Sequence, residues 1–106
     1  MRRDEAYVLD ILKAAKTALK FKESTDKASF LNDELLQSGI IHQLFIIGEA
    51  VKKLSKEFKD SNPLVPWRLI AGMCDRLVHG YFDVDINEVW KTVDIDIPEL
   101  IRLLEQ

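Results

Sequence analysis

One apolar stripe constrains the fold of this chain more than any other feature. Large apolar side chains recur every three or four residues along it: Leu36, Ile40, Leu44, Ile47, Val51, Leu54 and Phe58. This period is close to 3.6 residues, so it places the side chains on one face of an α-helix, whereas a strand would need strict alternation. The stripe predicts one unbroken helix of about 40 Å, because an α-helix rises about 1.5 Å per residue.

A shorter stripe with the same period, between residues 7 and 19, predicts a first helix. We expect Asp4 or a neighbour to cap this helix, because a carboxylate accepts hydrogen bonds from free backbone N–H groups. Asp26 is suited to cap a short turn that follows. Asn32 or Asp33 is suited to cap the long helix.

Two more helices are predicted in the second half of the chain. Pro66 suits the first turn of a third helix, which should fray near Gly80. Asp83 or Asp85 is expected to cap a fourth helix. Pro98 should kink or restart that helix, because proline has no N–H group for the helical hydrogen bond.

These elements predict an all-α protein, an antiparallel four- to five-helix bundle. No segment alternates as a strand would, and residues 1–106 are enough for a single domain. A second helix of about 40 Å would leave apolar surface that one copy of a small chain cannot cover. We therefore expect a homodimer.

Composition favours a cytoplasmic protein. The single cysteine cannot form an internal disulfide, no apolar signal core follows Met1, and no apolar run is long enough to span a membrane. The net charge is −3, which argues against avid nonspecific binding of nucleic acid. Residues 1–59 carry 11 Lys and Arg against 9 Asp and Glu, so their lysines form either a solvated face or phosphate contacts.

The segment from Arg76 to Tyr81 is the strongest candidate for chemistry. His79 lies near the predicted end of the third helix, with Arg76 one turn upstream on the same side. An imidazole can accept the proton of a ribose 2′-hydroxyl, and a guanidinium can stabilise charge on the attacked phosphate. Together they could cleave RNA without a metal. The alternative role for His79 is to cap the carbonyl groups of the helix end.

Glu49 lies in a nearly continuous apolar run beside Gly48. A glycine inside a helix costs about 1 kcal/mol in helix propensity, so a close approach of another helix is its expected justification. We expect Glu49 to form a structural ion pair with Arg68 or Arg76 rather than to serve as a catalytic acid. No spacing typical of metal ligands and no phosphate-binding glycine loop is present, so we expect no metal and no cofactor.

Several segments together resemble a known family, the HepT-like branch of the HEPN superfamily. The likeness covers nearly the whole chain and is carried by Ile47-Gly48-Glu49-Ala50, by Trp67 with Ile70-Ala71-Gly72-Met73, by Arg76-Leu77-Val78-His79-Gly80-Tyr81-Phe82-Asp83-Val84-Asp85, and by Val89-Trp90 with Asp96-Ile97-Pro98. The resemblance implies a dimeric helical bundle that acts as a ribonuclease toxin. It also implies an MntA-type nucleotidyltransferase antitoxin as partner, and an RNA-facing cleft where two copies of the motif meet.

The arginine of the family's motif is missing. That motif is an arginine, four to six residues and then histidine, which places the arginine at one of three positions: Cys74, Met73 or Gly72. His79 and Tyr81 match the motif, whereas relatives commonly have an Arg-Asn pair where this chain has Cys74 and Asp75. A cysteine supplies neither a fixed positive charge nor a bidentate donor set, so activity should be weak unless Arg76 substitutes.

Three functions follow from the resemblance. The first is a metal-independent endoribonuclease toxin with His79 as general base or acid. In the second, Tyr81 is the residue to which the nucleotidyltransferase partner attaches AMP. The third is a non-catalytic helical dimer that binds RNA or the partner only.

Overall fold

A computed structural model describes residues 3–79 and 84–106 of the chain, without the side chains of residues 78 and 79. Within those ranges the chain is helical and no residue lies in a strand, which confirms the predicted all-α class. The elements follow one another as α1 (Asp4–Glu23), α2 (Lys27–Phe30), α3 (Glu34–Lys53), α4 (Lys56–Ser61), α5 (Trp67–His79), α6 (Ile86–Lys91), a π-helical turn (Thr92–Asp96) and α7 (Ile97–Leu104).

Helix α3 is the centre of the bundle. It packs against α1 and against α5, while α7 and the π-helical turn return to α1. The largest side chains with almost no solvent exposure come from all of these layers: Phe30, Ile11, Ile40, Leu44, Ile47, Ile97, Val51, Val89, Val93 and Cys74. Their burial removes apolar surface from water and is the main force that holds the helices together.

Aspartates begin three of the helices, as predicted. The carboxylate of Asp26 accepts a hydrogen bond of 2.8 Å from the N–H group of Ser29 at the start of α2. Asp33 caps α3 in the same way, and Asp85 caps α6. These bonds satisfy backbone donors that have no partner within their own helix.

The prediction of one unbroken helix from residue 36 to residue 58 is wrong. Helix α3 ends at Lys53, and Leu54 adopts an extended conformation with ψ of 143° before α4 begins. The hydroxyl of Ser55 starts α4 by accepting a hydrogen bond of 3.1 Å from the N–H group of Phe58. The apolar period continues across this break because Leu54 is buried and Phe58 packs against the core. With 20 residues, α3 is about 30 Å long.

Asp4 does not cap α1, contrary to expectation. Its carboxylate instead accepts two hydrogen bonds from Ser55, 2.8 Å from the backbone N–H group and 2.7 Å from the hydroxyl. The side chain therefore ties the start of α1 to the junction of α3 and α4. These hydrogen bonds hold the pKa of Asp4 below its usual value of 3.8.

Pro98 lies in the first turn of α7, directly after the π-helical turn. The fourth predicted helix therefore extends from Ile86 to Leu104 and contains a widened π-helical turn. Its last part, α7, begins beside Pro98, which confirms that the helix restarts at the proline. Widened turns occur where the regular hydrogen-bond ladder is interrupted. None of the helices in the described ranges combines the length and the apolar composition needed to cross a bilayer.

We expect the Asp4→Ala variant to melt at a lower temperature than the wild type at neutral pH, because the N–H group of Ser55 loses its acceptor. The depressed pKa fixes the sign of the pH dependence. The stabilisation is present above pH 3.8 and is lost as the pH falls through the lower pKa of the folded protein. Thermal melts followed by circular dichroism should show two curves that converge in acid. A difference that persists unchanged at low pH would contradict the role of the carboxylate.

Candidate active site at the end of α5

Helix α5 carries the candidate site because its apolar residues fix which way the others face. Trp67, Ile70, Cys74 and Leu77 are buried at helical spacing. This leaves Asp75 and Arg76 at the solvent-facing edges of α5, one turn before the helix ends at residue 79.

Cys74 is buried in the contact between α5 and α3, with 1% of its surface exposed. A Cβ atom built on Gly48 would lie only 2.8 Å from the Cβ atom of Cys74, which is closer than two carbon atoms can pack. The predicted reason for Gly48, a close helix approach, is therefore confirmed. Burial raises the pKa of the Cys74 thiol to about 12, so the position of the motif's arginine is uncharged at neutral pH.

Lys52 bridges α3 and α5 beside Cys74. Its ammonium nitrogen lies 2.6 Å from a carboxylate oxygen of Asp75 and 3.1 Å from a carboxylate oxygen of Glu49. The hydrogen bond to Asp75, followed by that to Glu49, raises the pKa of Lys52 above its usual value. The cluster Glu49–Lys52–Asp75 is therefore a charged, half-exposed bridge on the surface.

Glu49 does form an ion pair, but not with Arg68 or Arg76 as expected. Its partner is Lys52, three residues along the same helix, so the carboxylate is satisfied on the surface. Arg76 instead lies 3.2 Å from a carboxylate oxygen of Glu88 on α6. Its guanidinium is directed toward α6, and 66% of its side chain is exposed.

The other predicted site residues lie at the edge of the described part. His79 is the last residue of α5, and the structure describes its backbone alone. The side chain of His79 and the whole of Tyr81 lie outside the described part of the chain. Asp75 and residue 79 are four residues apart on one helix and therefore share a face. Among the described residues, no three His, Cys, Asp or Glu side chains are grouped as a metal site.

A groove along α3 was missed by the sequence analysis. It has a volume of about 630 Å³ and is lined by α3 residues and by two residues before and within α6: Glu34, Gln37, Ser38, Ile41, His42, Phe45, Val84 and Ile86. The rings of His42 and Phe45 stack with their centroids 6.4 Å apart. Phe45 lies one turn before Glu49, so the groove and the charged cluster share one side of α3. The sequence does carry a signal for this groove, because Ile41 and Phe45 are four residues apart and so share one face of α3.

We expect Gly48→Ala to lower the free energy of unfolding by about 1–3 kcal/mol, because the added methyl group forces α3 away from Cys74. Gly72→Ala is the matched control, since a Cβ atom there meets nothing within 4 Å. That variant should gain about 0.5–1 kcal/mol from helix propensity. Urea unfolding measures both values, and a stabilised Gly48→Ala protein would disprove the close contact.

Comparisons with known proteins identify the family of this chain. The family described as Ribonuclease HepT-like matches residues 11–106. The chain is 41% identical over 99 residues to "Probable ribonuclease HepT" of Thermococcus cleftensis, covering 93% of this chain and 90% of that protein. It is 37% identical over 106 residues to "Putative RNase MJ0125" of Methanocaldococcus jannaschii, covering 99% and 91%. No solved structure matches the chain significantly. The chain belongs to the HepT-like ribonuclease family of the HEPN superfamily.

Proposed function

We propose that this protein is a metal-independent endoribonuclease with the activity of a toxin. The observation that carries the proposal is its near-full-length similarity to proteins named as ribonucleases, combined with a histidine at the end of α5. His79 matches the histidine of the family's motif in this sequence. His79 is the last residue of α5, one turn beyond Asp75, and its imidazole can serve as a general base or acid.

The reaction is an intramolecular transfer. His79 removes the proton from a ribose 2′-hydroxyl, and the 2′-oxygen attacks the adjacent phosphorus. The bond from phosphorus to the 5′-oxygen breaks, that oxygen takes a proton from water, and the protonated His79 releases its proton to solvent. The products are a 2′,3′-cyclic phosphate and a 5′-hydroxyl. A cation beside the phosphate stabilises the charge that develops in the transition state.

We expect RNA cleavage in the presence of EDTA, with 2′,3′-cyclic phosphate ends and no cleavage of DNA, which lacks the 2′-hydroxyl. His79→Ala should lower the rate by at least about 100-fold, because the proton acceptor is lost. Gel analysis of a labelled RNA and of a labelled DNA of the same sequence, with product ends mapped by phosphatase treatment, measures all four outcomes. Loss of cleavage on adding EDTA, or a wild-type rate for His79→Ala, would contradict the proposal.

We also propose a homodimer in which two copies of the α5 motif form one cleft. The length of the second helix no longer supports this, since α3 ends at Lys53. Support comes from the groove along α3, where four apolar side chains line one surface, Ile41, Phe45, Val84 and Ile86, and where Phe45 is 38% exposed. Contiguous apolar surface is typical of a surface that another chain covers.

Sedimentation equilibrium at micromolar concentration should give about twice the mass of one chain, and Phe45→Glu should shift it toward the monomer because a carboxylate cannot be buried unpaired. Phe45 is chosen because it lines the groove on the side of α3 that carries the charged cluster. Leu9→Glu on α1 is the matched control. Monomer alone in the wild type would remove the shared cleft.

A second candidate function rests on Cys74. Because the motif's arginine position is buried and neutral, a non-catalytic dimer that binds RNA or a partner is the alternative. An MntA-type nucleotidyltransferase is the proposed partner, and Tyr81 is the proposed acceptor of AMP. An intact RNA in the cleavage assay together with AMP transfer to Tyr81 would favour this alternative.

A further inference from the structure

The missing arginine leaves the proposed ribonuclease without an evident cation, and the structure supplies one from another helix. We propose that Lys52 on α3 is the phosphate-binding cation of the cleavage site. This inference rests on the proposed function and deepens it, because it names the residue that contacts the scissile phosphate.

The position of Lys52 is the first support. Its ammonium lies 2.6 Å from Asp75, the residue directly after Cys74, so it is held beside the vacated position although it comes from α3. The charges of Asp75 and Lys52 both act on the buried thiol of Cys74, and that of Asp75 acts more strongly. A positive charge is thus present next to the position where the motif places its arginine.

Asp75 links the ammonium of Lys52 to the helix that carries His79. Asp75 and residue 79 lie on one face of α5, about 6 Å apart along the helix axis at four residues of rise. Asp75, which holds the ammonium, is therefore about one helical turn from the backbone of His79. A phosphate between Lys52 and His79 would have the 2′-hydroxyl toward His79 and a non-bridging oxygen toward Lys52.

The hydrogen-bonding capacity of the ammonium fits this role. An ammonium has three donors, and Glu49 and Asp75 take two of them. The third can be donated to a phosphate oxygen. The three side chains are each about 40% exposed, so water screens the ion pairs and the ammonium can move toward a phosphate. A lysine is protonated at neutral pH, and the two carboxylates raise the pKa of Lys52 further.

Arg76 fits the role less well. Its guanidinium is bound to Glu88 on α6 rather than to any side chain of α3. Arg76 is also only three residues from His79, which is shorter than the spacing in the family's motif. The spacing of the motif does not restrict Lys52, because Lys52 lies on α3 and His79 on α5.

In the proposed step, Lys52 donates a hydrogen bond to a non-bridging phosphate oxygen and gives up no proton. His79 takes the proton of the 2′-hydroxyl, and the new bond forms between the 2′-oxygen and phosphorus. The bond from phosphorus to the 5′-oxygen breaks, and the 5′-oxygen takes a proton from water. Lys52 therefore stabilises the transition state without being consumed.

The test compares kcat for a short RNA in EDTA at saturating substrate. Lys52→Ala should lower kcat by about 100-fold or more, as the loss of one transition-state donor does. Lys52→Arg should stay within about 10-fold of the wild type, because it retains the charge. Lys53→Ala is the matched control, with the same charge change on the next residue of α3, and should cleave like the wild type.

Three outcomes decide between the proposals. If Lys52→Ala is folded by circular dichroism and cleaves at the wild-type rate while His79→Ala is inactive, the assignment of Lys52 is overturned and the ribonuclease function stands. A wild-type rate in His79→Ala overturns the function itself. If Lys52→Ala does not fold, Lys52→Gln replaces it, since an amide keeps hydrogen bonds to Glu49 and Asp75 without the charge. An active Lys52→Gln variant then overturns the proposal.

Discussion

The close contact between Gly48 and Cys74 is the constraint on which the candidate site depends. Because Gly48 has no side chain, the backbones of α3 and α5 approach until a single methyl group would no longer fit. At that separation the long side chain of Lys52 reaches Asp75 across the helix boundary. The contact also fixes the direction in which α5 runs to its end at His79. A structural contact in the core thereby sets the positions of charged groups on the surface.

The same contact explains why the charge of the site comes from α3. A thiol is small and apolar, so it packs at position 74 without a cost in desolvation. A guanidinium there would bring a charge into a position that is 1% exposed, which costs free energy unless the charge is paired. Lys52 instead carries its charge on the surface, paired with Glu49 and Asp75. Position 74 is therefore buried and neutral, and the positive charge of Lys52 lies beside it on the surface.

The sequence predicted the elements well where local information decides them. The apolar period identified the main helices, and the short-range acceptors Asp26, Asp33 and Asp85 began theirs as expected. The break after Lys53 escaped prediction because the apolar stripe continues through it. The break depends on Ser55, whose partner Asp4 is distant in the chain. Lys52 forms two ion pairs. The pair with Glu49 has the three-residue spacing of one helix and can be predicted from the sequence, whereas the pair with Asp75 joins two helices and cannot.

The uneven charge of the chain also has a structural explanation. Lysines of the basic first half pair with carboxylates of the acidic second half, as Lys22 does with Asp94 and Lys16 with Glu105. These pairs join α1 to the C-terminal segment, so part of the basic charge serves to match two parts of one fold. Exposed ion pairs of this kind contribute little to stability, but like charges at the same positions would oppose the packing of α1 against the C-terminal segment. An acidic protein organised in this way cannot attract RNA by its overall field. Recognition of a phosphate must then depend on single cations held at defined positions, and Lys52 between α3 and α5 is such a cation.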